Sequence, residues 1–162
     1  SGKSEVVHGV ICVLMLLMPL MGKYFPEDPR FVLKNDVGNI IGYTNGIRIG
    51  CFGPKKEQAD IIFSRVKETF DRPETKDLIE ALGIECKSSN GKKVELTNKS
   101  YCRANTASKD ASIEGDSYHL IILDESQDID ENKILKSIRP MGASTNATNV
   151  MIGTAGTGRV LF

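Results

Sequence analysis

Residues 120–125 read Leu-Ile-Ile-Leu-Asp-Glu, four apolar side chains in an unbroken run that stops at two carboxylates. A strand with one wet face alternates apolar and polar residues. An uninterrupted run requires cover on both faces, which is the condition of a strand inside a parallel sheet. The rest of the chain supplies candidates for that cover. The apolar block Val6 to Met21 predicts a helix, and Ala59, Ile62, Phe63, Val66 and Phe70 recur at helical spacing within a predicted helix over 55–70. Shorter helices are predicted over 76–82, closing at Gly83, and over 131–138, stopped by Pro140. Ile47 to Phe52, Tyr118 to Leu123 and Val150 to Ile152 read as strands, with shorter ones over 84–87, 93–96 and 100–104. Asn90-Gly91 is a hairpin signal between the first two of these. The order helix, strand, helix, small hairpin, strand, helix, strand predicts an α/β fold with a mainly parallel sheet flanked by helices.

Composition narrows the function classes. At 162 residues the chain suits one domain, and 40% apolar with 26% charged residues excludes wholesale disorder. Lys plus Arg and Asp plus Glu both total 21, for a net charge of 0, which excludes a globally basic nucleic-acid glue and an acidic tail protein. Cys12, Cys51, Cys86 and Cys102 form no CxxC pair and read as free thiols of a reducing compartment. The block Val6 to Met21 is shorter than the roughly 20 apolar residues of a bilayer span and contains His8, Gly9 and Pro19. A buried core helix is the favoured reading, with a signal or membrane segment as its rival.

Three motifs carry chemistry. Ser1-Gly2-Lys3-Ser4 runs directly into the first helix and matches the end of a phosphate loop, G-x-x-x-x-G-K-[ST]. Amides at a helix start face an anion, and the helix dipole favours negative charge there. Gly2 would admit the backbone to the phosphates, Lys3 would reach the β- and γ-phosphates, and the Ser4 hydroxyl would ligate Mg²⁺. Alone, the triplet is as compatible with an ordinary helix cap. Asp124 and Glu125 follow the strand to the edge where open α/β sheets bind ligands. There Asp124 would hold Mg²⁺ and Glu125 would polarise an attacking water, the alternative being a solvated acidic loop. Gly153-Thr154-Ala155-Gly156 ends the last strand, where the Thr154 hydroxyl could sense a γ-phosphate, or where the segment is a plain turn. Helix start, strand end and strand end are the positions a P-loop NTPase needs, so the three together predict a Mg²⁺-dependent ATPase.

With these motifs in hand, the chain resembles the ATPase domain of the large terminase subunit of tailed phages. The resemblance rests on SGKSE at 1–5, FGPKKEQADIIFSRVKETF at 52–70, ASIEGDSYHLIILDESQDID at 111–130 and MIGTAGTG at 151–158. It implies a motor that uses ATP and Mg²⁺ to translocate double-stranded DNA into a procapsid. Gly2, Lys3, Ser4 and Thr154 would bind nucleotide, Ser4 and Asp124 the metal, and Glu125 would be the catalytic carboxylate. Gly153, Thr154 and Ala155 match the motif that couples hydrolysis to movement. The resemblance also implies a small terminase subunit and a portal protein as partners, a homo-oligomeric ring, no membrane, and the host bacterial cytoplasm as location. Residues 1–162 read as a partial domain truncated at both ends, without the opening of the phosphate loop and without a C-terminal nuclease domain. Arg103 and Arg48 are candidates for an arginine acting on the γ-phosphate. Asp124-Glu125-Ser126-Gln127-Asp128 also looks like the D-E-x-Q-D motif of superfamily 1 helicases, the alternative reading. The absence of an acid or Gln in 153–156 favours the terminase.

Overall fold

The computed structural model describes residues 2–31, 37, 46–89, 91–107 and 116–153, and the side chains of 2–4, 88 and 89 lie outside that description. The elements are α1 (Gly2–Tyr24), β1 (Arg48–Gly53), α2 (Lys56–Asp71), α3 (Pro73–Ala81), β2 (Cys86–Ser89), β3 (Lys93–Leu96), β4 (Tyr101–Thr106), β5 (Leu120–Leu123), α4 (Glu131–Lys133) and β6 (Thr148–Met151). One six-stranded sheet has the order β2-β3-β4-β1-β5-β6. β4, β1, β5 and β6 run parallel, and β2 and β3 add an antiparallel hairpin at one edge. The expected α/β class and mainly parallel sheet are therefore observed. The helix expected over 131–138 is only one α-turn, which widens to a π-turn over Ile134–Ile138 and tightens to a 3₁₀ turn over Arg139–Gly142.

The unbroken run of β5 splits between two cores. Leu120 and Ile122 point into a cluster with Ile11, Met15, Ile62, Val66 and Phe70 of α1 and α2. Ile121 and Leu123 point the other way, into a cluster with Phe52, Tyr118, Ile134 and Ile138. Alternation along the strand thus serves two apolar layers, as a doubly covered strand must. Gly50 belongs to the second layer by what it lacks, since a Cβ there would lie 2.8 Å from the Tyr118 ring. Tyr118 lies fully buried over that gap, edge-on to Phe52.

α1 is long and apolar enough to cross a membrane by length and composition. Here one of its faces is built into the first core, with Ile11 and Met15 fully buried. Pro19 interrupts its hydrogen bonding, because proline has no N–H to offer the carbonyl of Met15 one turn earlier. That carbonyl instead accepts from Asn98 Nδ2 at 2.8 Å. Asn98 Oδ1 accepts from the Ser100 amide at 2.9 Å, and Ser100 Oγ accepts from the Ile47 amide at 3.1 Å. A defect in the helix is thereby converted into a tie between α1, the β3–β4 turn and the start of β1. It also sets the direction of α1. Pro19 and Lys23 lie beside Thr97 and Lys99 at the amino end of the parallel strands, so α1 runs toward that end, and its residues Val6 to Met18 border a cavity that extends along β5 and β6.

Loss of this tie is measurable. Asn98→Ala would leave the Met15 carbonyl without its donor and is expected to destabilise the chain by ~1–3 kcal/mol. In a Pro19→Ala background residue 19 regains its N–H, so the same substitution should cost clearly less. Thermal denaturation of the four chains checks this, and equal losses in the two backgrounds would exclude the bridge.

Candidate functional site at the carboxyl end of the sheet

The parallel ladder does not stop with the last apolar residue of β5. The Asp124 amide donates to the Phe52 carbonyl of β1 at 2.8 Å, and the Ile152 amide donates to the Leu123 carbonyl at 2.8 Å. Asp124 is therefore held to β1 directly after β5, with the residue only 7% exposed. Its Oδ1 accepts the Glu125 amide at 3.0 Å. The chain then turns sharply. Glu125 sits in the left-handed region at φ 48°, ψ 47°, an uncommon conformation for a residue with a side chain. A 3₁₀ turn follows over Ser126–Asp128, anchored by the Ser126 amide donating to the Ile152 carbonyl at 2.9 Å.

This turn separates the two acids by environment. Asp124 is buried, while Glu125 is half-buried and its Oε2 accepts from Gln127 Nε2 at 2.6 Å. Burial pushes the Asp124 carboxyl above the usual carboxylate range. The Glu125 amide opposes that shift, and the Glu125 charge adds to it. Such a carboxylate is an oxygen donor whose desolvation a cation would relieve. Mg²⁺ commonly takes only one or two protein carboxylates, completing its shell with water and phosphate oxygens. The donor chemistry fits that ion, and among the described residues no cluster of three or more His, Cys, Asp or Glu offers a self-sufficient metal cage.

The other expected site residues divide into groups. Because the proline-bearing end of α1 lies at the amino ends of the strands, its start, with the backbone of Gly2, Lys3 and Ser4, points toward the opposite end of the sheet, where Asp124 follows β5. The side chains of Lys3 and Ser4, and the whole of Thr154, lie outside the described residues. α2 also starts at this end, directly after β1 and Gly53-Pro54. The two arginine candidates do not join the acids. Arg48 opens β1 at the opposite end, its Nε donating to the Ser117 carbonyl at 2.6 Å. Arg103 lies midway along β4, two strands from β5, in a 2.6 Å ion pair with Asp116. Gln127 is the site residue that the sequence did not single out. Its signal was the residue two positions after Glu125 in D-E-x-Q-D, which pointed only to a rival family.

Comparison with known proteins agrees with this arrangement. Residues 42–160 match the family model described as terminase large subunit, ATPase domain. The chain therefore belongs to the family of terminase large-subunit ATPase domains. The match takes in β1 through β6 with Asp124, Glu125 and Gly153, and begins after α1. Among solved structures, the chain is similar to the large terminase ATPase domain of Thermus phage P74-26 (TM-score 0.58, 19% identity, 70% of this chain and 49% of that one). It is also similar to the large terminase of bacteriophage HK97 (TM-score 0.58, 19% identity, 94% of this chain and 27% of that one). The chain thus spans about half the length of the P74-26 domain it matches. No curated protein sequence matches it.

The raised Asp124 carboxyl has a consequence for stability. A folded-state pKa above the unfolded one means that the penalty is absent in acid, below the unfolded value, and complete once pH exceeds the raised folded value. Asp124→Asn keeps an oxygen for the Glu125 amide and removes the buried charge. It is expected to raise Tm at pH 7, with the gain disappearing below pH ~4. A Tm equal to or below that of the parent at pH 7 would contradict the burial argument.

Proposed function

We propose that the chain supplies the hydrolytic part of a Mg²⁺-dependent ATPase that drives double-stranded DNA into a viral procapsid. The observation that carries this reading is the unlike pair at the end of β5, a buried Asp124 next to a partly solvated, oriented Glu125. The two acids are suited to different tasks. Asp124, with the Ser4 hydroxyl, would hold Mg²⁺. When bound, that ion supplies neutralisation of charge on the β- and γ-phosphates. The Lys3 ammonium and the amides at the start of α1 would bind the same phosphates and stabilise the charge that builds on them during transfer. Glu125 would orient a water in line with the γ-phosphorus and take its proton. The new bond forms from the water oxygen, and the bond to the β–γ bridging oxygen breaks, releasing ADP and phosphate. Thr154, the residue after Gly153 in the sequence, would sense the γ-phosphate and pass its departure to a DNA-gripping element.

Family membership supports the remaining parts of the proposal: a small terminase subunit and a portal protein as partners, a homo-oligomeric ring, and work in the host bacterial cytoplasm without a membrane. The net charge of 0 adds no support for DNA contact.

We further infer that residues 1–162 are part of a larger ATPase domain, with the opening of the phosphate loop and a nuclease domain contributed by other segments. The partial coverage of the P74-26 domain supports this. So does the outer edge of β6, which has no strand neighbour among the described residues. A cavity of about 390 Å³ lies between α1 and β5–β6, lined by Val6, Val10, Leu14, Ile122 and Val150, of which Val6 and Val10 are exposed. An additional strand would bury this surface and satisfy the open edge. In the intact protein, outer-edge amides of 148–151 should exchange with solvent at least about tenfold more slowly than in the isolated chain. Equal rates would remove the partial-domain reading.

The hydrolytic assignment rests on Glu125→Gln in the intact protein. Nucleotide binding should stay within about twofold of the parent, while turnover falls by ~10²-fold or more. Turnover near the parent rate would overturn the role of Glu125.

A further inference from the structure

Gln127 stands between two elements that the proposed reaction must connect. Its Nε2 donates to Glu125 Oε2 at 2.6 Å, a charge-assisted distance, and also lies 3.5 Å from Asp128 Oδ2. Its other amide atom, Oε1, is buried against Gly153. A Cβ built on Gly153 would collide with that oxygen, and would lie 3.4 Å from Ser126 Oγ. The Gln127 amide therefore occupies the space that the missing Gly153 side chain leaves, with one end on the acid and the other on Gly153. The backbone repeats the connection, since the Ser126 amide donates to the Ile152 carbonyl. Glu125 needs such a fixture more than most acids. Its backbone is left-handed, and among the described residues the Gln127 amide is the hydrogen-bond donor to its carboxylate.

We propose that Gln127 is the positioning residue through which Gly153 sets the aim of the Glu125 carboxylate. The amide that packs on Gly153 also holds the carboxylate, so the placement of that amide decides whether Glu125 is aligned for water. This deepens the hydrolytic reading above and rests on it. It also gives a reason for glycine at 153, because a side chain there would displace the Gln127 amide from its present position.

The test uses the intact protein and compares kcat, KM and nucleotide affinity. Gln127→Met keeps length and bulk but removes the donor. It should lower kcat by about 10- to 100-fold, the range expected for a misplaced catalytic group, with KM and nucleotide affinity within about twofold. Gln127→Asn keeps the amide but shortens its reach, and should lose kcat to a similar degree if Gln127→Met does not fold. Gly153→Ala should lower kcat similarly in the parent. In a Gln127→Ala background, where the amide is already gone, it should add less than about twofold. Parent-level kcat in Gln127→Met, alongside an inactive Glu125→Gln, would overturn the coupling and leave the site intact. Fully multiplicative losses for Gly153→Ala and Gln127→Ala would overturn it as well. An active Glu125→Gln would overturn the reading of the site, and the coupling with it.

Discussion

The hydrogen bond from the Asp124 amide to the Phe52 carbonyl extends the β1–β5 ladder one residue beyond the last apolar side chain, and most of the site depends on it. A strand carried by burial alone would fray where Leu123 gives way to acids, because a carboxylate next to a core favours water. Here Asp124 is held to β1, while the Ile152 amide holds the Leu123 carbonyl from the β6 side. The carboxylate is thus kept in a half-dry position that it would not choose. Leu120, Ile121, Ile122 and Leu123 make that arrangement affordable, since each is buried in one of two cores. Burying such a side chain is worth ~1.5–3 kcal/mol, so the run outweighs one partly desolvated acid and one left-handed residue.

The direction of α1 follows from a different constraint. Proline near the end of a long apolar helix leaves a carbonyl without its usual donor, and a membrane or solvent environment would leave the orientation of that helix open. Asn98 supplies the donor from the β3–β4 turn, so the proline-bearing end of α1 is tied to the amino ends of the strands. Its beginning then lies toward their carboxyl ends. An interaction at one rim of the sheet thus points the helix start toward the other, where β5 delivers its acids.

The features legible in the sequence were those governed by periodicity. The helical spacing of Ala59, Ile62, Phe63, Val66 and Phe70 foretold the buried face of α2, and all five are buried. The run 120–123 foretold a doubly covered strand with two acids at its end. Other features depended on contacts between distant segments. Pro19 counted in the sequence only against a membrane span, and nothing in the sequence signals that Asn98, 79 positions later, serves the Met15 carbonyl. The helix over 131–138 is instead an α-turn followed by a π-turn and a 3₁₀ turn, and Ile134, Ile138 and Met141 still all reach the second core. Arg48 and Arg103 were attractive as cations of a phosphate site only until their positions along the strands were fixed. Charge is readable from a sequence, whereas the end of the sheet a charge occupies is not.

Gln127 shows why a site residue can be present in a motif and still go unread. In one dimension it is two residues past Glu125, a spacing that in a strand would put both side chains on one face and in a helix on different ones. Neither geometry applies. The left-handed turn at Glu125 folds the chain back, so that a residue two positions on can reach its carboxylate. The same fold brings Gly153, 26 positions later, against the amide's far end. Three residues from two segments thereby act as one unit, and each is intelligible only through the others. A glutamate in an uncommon conformation needs an external hold, a glutamine supplies it, and a glycine leaves room for the glutamine. Sequence patterns of acid, amide and glycine at the ends of adjacent parallel strands deserve to be read together for this reason, because parallel pairing places such ends side by side whatever their separation along the chain.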